Sequence, residues 1–586
     1  MVAPASTLRP ATGDGGRGPG HRRPLGAMNG TGSILLIIVT ILVAGPILLL
    51  LYGSFTKQQV PTSLTISGLG LQNYHTVFDS AQLAHAAINT VIYVGASAII
   101  GTLLAAGLAY LTERTAVPFK SLWYGLIVAG FAMPSIIQAI AWEFLVNPSG
   151  GSLNPLLRDI WAPLGGLTAN SLYGMVFVQS LHAVPMSYVM FAPLMRNIDT
   201  GLEEAAVAAG ARLRHRLRTV TLPLLLPGAL AVLIYQGIAA LEGFEIPGIL
   251  GMPSGKFVFA TYLYNEVHTP SGLPNYNLAS ALGIGLLAIA AIAMYLYFRV
   301  LTHAARFATM AGRGFQRRPR PLGRWKPVCV ALVSVYVIVA MLLPFLIMLY
   351  TSLVAFARPV SWSALQHLTL ANYSWSAGGY DLKQVLVNTI FVTLVTAAVT
   401  VLLSASISYV VIKSRFRFRK VLDVLAFIPH GVPGIVLGLA FFLIYLHIGV
   451  LYSSLIGMIV AFTAGFIAYG TRSMNAAFLQ VHSVLEEAAT TAGVRQGRRL
   501  TGIMFPLVRP SMVGLFIIVV LMVTRVAGLP LILTNGATNT TILSVVLWNL
   551  WNGGFLPETA AIGTVLIVVT FILSMAARRF GMGRSG

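Results

Sequence analysis

SILLIIVTILVAGPILLLLYG, from Ser33 to Gly53, carries no charge. As a helix it is long enough to cross ~30 Å of hydrocarbon, which takes about 20 residues. Eleven further apolar runs follow, centred near residues 100, 133, 184, 236, 288, 338, 399, 434, 462, 520 and 567. Only 9% of the residues are charged and 56% are hydrophobic, whereas soluble domains carry roughly 25% charged residues. The expected fold is therefore an all-α membrane protein with about twelve transmembrane helices.

The net charge of +22 raises nucleic acid as a partner, and the placement of the 38 Lys and Arg residues excludes it. With the N-terminus inside, Lys57, Arg158, Lys256, Arg358 and Lys383 fall in external loops, Arg525 falls within a span, and all the others lie in cytoplasmic segments. This is the positive-inside distribution. The opposite orientation places RHRLR (Arg214 to Arg218), RRPRPLGRWK (Arg317 to Lys326) and KSRFRFRK (Lys413 to Lys420) outside. Both termini are accordingly expected in the cytoplasm. The single cysteine, Cys329, excludes an intramolecular disulfide. Residues 1–28, rich in Gly, Pro and Arg, read as a disordered cytoplasmic tail. The first apolar run has full spanning length and reads as a transmembrane helix, with no cleavable signal peptide expected.

The chain repeats itself. At an offset of 298, Pro46 and Tyr52 meet Pro344 and Tyr350. At 299, Asn73-Tyr74 meets Asn372-Tyr373, Asn89-Thr90 meets Asn388-Thr389, and Pro134 meets Pro433. At 283, Glu204, Ala205, Ala206, Gly210, Pro223, Pro227 and Pro247 meet Glu487, Ala488, Ala489, Gly493, Pro506, Pro510 and Pro530. The change of offset fits a longer external loop in the first half, NPSGGSLNPLLRDIWAPLGG from Asn147. The expected organisation is a tail (1–28), a first transmembrane unit (29–302), a basic cytoplasmic linker (303–326) and a second unit (327–586). Each unit has an even number of spans, so both start from the same side of the membrane. The two homologous six-helix units are then related by a pseudo-twofold axis along the membrane normal, and a substrate path would lie on that axis.

The phrase LEEAAVAAG (Leu202 to Gly210) returns as LEEAATTAG (Leu485 to Gly493), each time ahead of a run of arginines. Thr200-x-x-Glu203 and Ser483-x-x-Glu486 match the capping-box pattern, in which hydroxyl and carboxylate each satisfy a free backbone N–H. Gly210 and Gly493 stand where a helix C-terminus takes a left-handed residue. In the first copy Leu213, Leu217 and Val220 recur at i, i+4, i+7 between arginines, so one face can rest on the membrane boundary. Pro223 and Pro506 disfavour helical geometry in the residue before them and set where the next span begins. The expected product is a short helical elbow beneath the cytoplasmic surface, projecting small side chains and one carboxylate, Glu204 or Glu487. A plain solvated hairpin is the alternative. Two copies with Glu-to-Gly and Glu-to-Pro separations of six and nineteen residues argue for a docking surface.

EAAVAAGARLRHRLRTVTLP and EAATTAGVRQGRRLTGIMFP resemble the cytoplasmic loop of permease subunits of binding-protein-dependent ABC importers, with Phe505 where the pattern has Leu. The tandem as a whole resembles the fused permeases of the ferric-iron type, and Ala240 to Tyr264 looks especially like their first half. The resemblance implies that Glu204, Ala205, Ala206, Gly210, Pro223, Glu487, Ala488, Ala489, Gly493 and Pro506 build two coupling loops. It implies a partner ATP-binding cassette ATPase in two copies, one per loop, an extracytoplasmic substrate-binding protein, and a bacterial plasma (inner) membrane as the location. No cofactor is expected on this chain, ATP being used by the partner. Ferric iron is the substrate implied, although the iron-type permeases tend to carry an acidic residue where this chain has Gly528. An anionic or organic solute such as a phosphonate, sulfate, thiamine or polyamine is the alternative.

Ionisable groups inside spans are candidate functional residues, because insertion at a helix centre costs ~2.5 to 3.5 kcal/mol. Glu242 and Glu245 lie near the external end of the fifth span and Arg525 in the eleventh. Glu242 and Arg525 occupy equivalent repeat positions, so an ion pair across the path is one expectation, and hydrated charges at the mouth are the other. No metal site is assigned. A secondary transporter with two six-span halves has no use for two docking elbows. An enzyme is disfavoured by the lack of H-E-x-x-H or a Cys cluster. GMPSGKF (Gly251 to Phe257) is too short for a phosphate-binding loop and lacks its hydroxyl, so a separate ATPase is expected.

Overall fold

The structure is a computed structural model that describes residues 25–57, 68–196, 205–206, 208–212, 215, 217–269, 273–307, 321–494, 498, 500–534 and 540–581. Among these, ten helices are long and apolar enough to cross a membrane, or up to twelve spans if two sharply bent helix pairs are each counted as one. The first unit runs α1 (Leu25–Val39), α2 (Gly45–Phe55), α3 (Ala81–Arg114), α4 (Lys120–Ala129), α5 (Ser135–Leu145), α6 (Leu172–Arg196), α7 (Leu222–Glu242), α8 (Phe259–Val267) and α9 (Tyr276–Phe307). The second runs α10 (Lys326–Val337), α11 (Leu343–Ser352), α12 (Leu382–Lys413), α13 (Arg419–Phe427), α14 (Gly434–Tyr445), α15 (Leu455–Gln480), α16 (Ser483–Thr491), α17 (Phe505–Arg525), α18 (Leu543–Asn552) and α19 (Leu556–Gly581).

The repeat is visible bond by bond. Asn73 Nδ2 donates to the carbonyls of Ser54 and Thr56, and Asn372 Nδ2 donates to those of Ser352 and Val354. Ser54 shares a hydrogen bond with Tyr74 at 2.7 Å, as Ser352 does with Tyr373. The Asn-Thr pairs hold the start of the short helices α8 and α18. Phe259 N donates to Thr90 Oγ1 and Leu543 N to Thr389 Oγ1, both at 2.9 Å. Asn89 and Asn388 donate to Phe257 O and Thr541 O beside them. Residues that marked the repeat in the sequence are thus the ones satisfying backbone groups at chain turns, where a polar side chain has a fixed partner.

Four π-wound turns also repeat: Thr40–Ala44 with Ile338–Leu342, and Leu217–Thr221 with Leu500–Met504. Each runs directly into a helix whose second residue is proline, namely Pro46, Pro344, Pro223 and Pro506. Proline lacks an N–H and its ring crowds the carbonyl four residues back. A widened turn relieves both. Pro223 and Pro506 therefore do not end helical geometry before them as the sequence reading expected, since the preceding Leu222 and Phe505 are helical and Thr221 and Met504 ahead of them are right-handed too.

The expected third and ninth spans are not straight. Lys120–Ala132 and Ser135–Leu145 meet at 98°, and Arg419–Gly431 and Gly434–Tyr445 at 111°. Both breaks fall at the repeated prolines. Met133 and Val432 are extended, as a residue preceding proline prefers. Hydropathy could not reveal this, because both limbs are apolar.

The two units are interlocked. The first span of each packs on the other unit's second limb: α2 on α14 and α11 on α5. In addition α1 lies against α12 and α13, where Leu35, Val39 and Val43 form a buried cluster with Ile407, Val410, Phe416, Leu422 and Ile467. The largest pairings are internal and equivalent, α3 with α6 and α12 with α15.

Candidate functional site

The elbows come first. Gly210 and Gly493 both have positive φ, 77° and 74°. Ala211 N donates to Ala206 O at 2.9 Å, and Val494 N to Ala489 O at 3.0 Å. This is the six-to-one closure of a Schellman motif, made identically in both copies. Ala205 and Ala488 are exposed, Ala206 is half-buried and Ala489 is buried. The nine residues of α16 end in this cap. Glu204 lies outside the described residues, as do Leu213 and the Thr200–Glu203 box, and the side chains of Ser483, Glu486, Glu487, Leu217 and Val220 are likewise not described.

Beyond each elbow the π turn and its proline run into one helix, α7 or α17, of 21 residues. At 1.5 Å per residue that is ~31 Å. The last residue of α7 is Glu242 and the last of α17 is Arg525.

Both ends open into a cavity of about 300 Å³. Its lining pairs off by the repeat offsets: Phe131 with His430, Gln179 with Phe462, His182 with Gly465, Met186 with Tyr469, Glu242 with Arg525, Glu245 with Gly528. A cavity lined by equivalent residues of both units lies on their pseudo-twofold axis. All three candidate residues, Glu242, Glu245 and Arg525, line it.

It forms where the chain breaks, since non-helical backbone at membrane depth is tolerated where it lines a cavity. The guanidinium of Arg525 lies 4.5 Å over the Phe131 ring and donates to Met133 O at 3.3 Å, a carbonyl freed by the break before Pro134. Glu245 Oε1 accepts from Ala527 N at 3.0 Å and Gly528 N at 3.4 Å, amides freed by the break after α17. A first-unit carboxylate thus caps the backbone at its own repeat position in the second unit.

Among the described residues no ion pair joins Glu242 to Arg525, which corrects the pairing expected from their register. Glu242 Oε1 is buried with no hydrogen-bond partner. The other polar groups are engaged. Tyr93 donates to Gln179 at 3.0 Å, His182 Nδ1 is 2.9 Å from Gln138 Oε1, and Gln236 donates to Ala183 O at 3.1 Å and to Ser187. No group of three His, Cys, Asp or Glu side chains among the described residues could hold a metal ion.

Sequence reasoning missed a set of braces near the elbows. Arg196, the last residue of α6, holds Glu113 at the end of α3 through Nε and Nη2, both 2.8 Å. In the second unit Lys413 Nζ, at the end of α12, donates to Val481 O just past α15 at 2.7 Å. Asp423 accepts from Asn475 and pairs with Arg472, both at 3.2 Å. As sequence these are ordinary charges at span ends, and only the fold pairs them.

Two homologous helical bundles, interlocked around a cavity on their common axis that carries a few charged groups, define a membrane permease. Residues 98–306 and 402–581 each match the binding-protein-dependent transport system inner membrane component, and the chain belongs to that family. It is similar to the ferric transport system permease protein FbpB of Actinobacillus pleuropneumoniae, 24% identical over 82% of this chain and 69% of that protein. It is also similar to the probable ABC transporter permease protein y4fN of Sinorhizobium fredii, 24% identical over 85% of this chain and 88% of that one. The trehalose/maltose transport system permease protein MalF of Thermococcus litoralis is 28% identical over 37% of this chain and 74% of its own length.

Proposed function

We propose that this chain is the transmembrane subunit of an ABC importer that moves a small cation inward. A separate ATPase docks on the paired elbows in two copies and drives alternating access, and an extracytoplasmic binding protein delivers the solute. The observation that carries this reading is the continuous path from the π turn beyond each elbow to the cavity. A rigid cap, a π turn with its proline and a single helix end on Glu242 in one unit and Arg525 in the other. Closure of an ATPase pair displaces both elbows, and helices ~31 Å long carry that displacement to the cavity as rigid rods. The two units then rock about the shared site. Transport, rather than catalysis, is the function, with ATP used by the partner.

Two readings of the cargo compete. Ferric iron is supported by the resemblance and by the name of the FbpB relative. An organic cation is favoured by the cavity, which offers carboxylates and aromatic rings but no cluster of metal ligands among the described residues. The permease reading is tested by charge reversal at both elbows, Glu204→Lys with Glu487→Lys. The protein should still insert, but its ATPase should no longer co-purify with it and uptake should collapse. Undiminished recovery of the ATPase would sink the docking assignment.

A further inference from the structure

We propose that the cavity binds a small organic ammonium ion, with Glu242 as its counter-charge and the rings of Phe466 and Tyr469 as its apolar face. The inference rests on the permease reading and specifies the solute class of the same site.

Charge is unbalanced in the cavity. Glu242 and Glu245 face a single guanidinium, Arg525. Glu245 is committed to the amides of Ala527 and Gly528, directly after Arg525 in the chain, and Arg525 to Phe131 and Met133 O. Glu242 is left without a partner on its buried oxygen. A carboxylate out of water needs a counter-charge or a hydrogen bond. That unused acceptor on a buried acid suits a cation, which supplies a counter-charge and N–H donors together.

The surroundings select the kind of cation. A hard metal ion takes six or more oxygen ligands, or a compact set of His, Cys and carboxylate groups. No such group of three exists among the described residues. The second unit instead presents rings: Phe466, stacked at 6.0 Å on the fully buried Phe462, meets Tyr469 at 6.5 Å, and Tyr469 meets His430 edge-on at 4.8 Å. Aromatic faces with a nearby carboxylate suit ammonium groups, the carboxylate balancing the charge and the rings adding cation–π attraction. The volume of about 300 Å³ is at the small end for ligand pockets, so the cation is a small molecule. The repeat makes this lopsided chemistry possible, because the first unit places Gln179, His182 and Glu242 where the second places Phe462, Gly465 and Arg525.

The test is equilibrium dialysis of the purified full chain with radiolabelled tetramethylammonium and putrescine, against ferric citrate, methylphosphonate and glycine betaine. The two ammonium probes should bind. Glu242→Gln should weaken them by at least about tenfold, as loss of a charge-assisted contact does. Phe466→Leu and Tyr469→Leu, which keep Glu242, should weaken them several-fold and guard against a folding defect in the first variant. Preferential binding of ferric citrate, methylphosphonate or the zwitterion, binding of no probe, or ammonium binding unchanged in Glu242→Gln would each overturn the proposal. ATPase co-purification from the same preparations separates the two failures. A chain that holds its ATPase but not an ammonium ion refutes the solute class alone, and one that binds ammonium without the ATPase refutes the permease reading alone.

Discussion

Glu245 and Glu242 stand three residues apart and do different work. The first uses its carboxylate on two backbone amides of the opposite unit, while the second keeps a buried oxygen free. Glu245 is thus a structural acceptor that any well-placed carbonyl oxygen can replace. Glu245→Gln should keep the apparent melting temperature of the purified protein near wild type. Glu245→Leu should lower it, because a buried amide left without an acceptor costs roughly 1 to 3 kcal/mol. Equal melting temperatures for the two would remove Glu245 from that capping role. Glu242 and Arg525 are likewise separate in this conformation, each with its own surroundings. Uptake measured in Glu242→Gln, Arg525→Gln and the double variant should show defects that add, as for sites without direct contact. A double variant better than either single would mean that the two charges meet in another conformation of the cycle.

The helices that lead up to the elbows have their ends tied together. Arg196 and Glu113 join the ends of α6 and α3 by two parallel 2.8 Å bonds, and Lys413 does the corresponding job in the second unit through a carbonyl. Partly exposed pairs of this kind contribute little to stability, about 1 kcal/mol or less. Their value is in stiffness. Arg196→Leu should therefore leave expression and ATPase co-purification intact while uptake per ATP hydrolysed falls several-fold, measured in proteoliposomes with ATPase turnover and transport followed together. Unchanged coupling would reduce the brace to a surface ion pair. Nothing in the sequence singled out these residues, because pairing between span ends depends on which helices are neighbours. The elbows were legible for the opposite reason: a glycine cap and a proline are local requirements, and Gly210 and Gly493 take the expected left-handed turn. The re-entrant bends were written in Pro134 and Pro433 but masked by apolar limbs on either side, since hydropathy reports length and not direction.

At the scale of the whole molecule the tandem repeat was readable from proline and asparagine offsets alone, and so was the convergence of Glu242 and Arg525 on one axis. What the offsets could not show is that the first span of each unit packs on both units. A repeat register states which positions correspond, not which unit a helix packs against. In the structure α2 lies on α14 and α11 on α5, while Leu35, Val39 and Val43 of the first unit are buried among second-unit side chains. Each unit therefore lacks part of its packing unless the other is present. The covalent link between α9 and α10 is then dispensable for assembly, since burial of these faces holds the halves together without it. Two chains ending and restarting between residues 307 and 323, each with its own tag and produced together, should co-purify through either tag and retain uptake. Either chain produced alone should be degraded or aggregate, because its partner-facing breaks and apolar faces stay open. Deleting residues 25–55 from the first chain should weaken recovery of the second. Two halves that accumulate independently and do not co-purify would show that the linker, and not the packing of the first spans across the units, keeps them together.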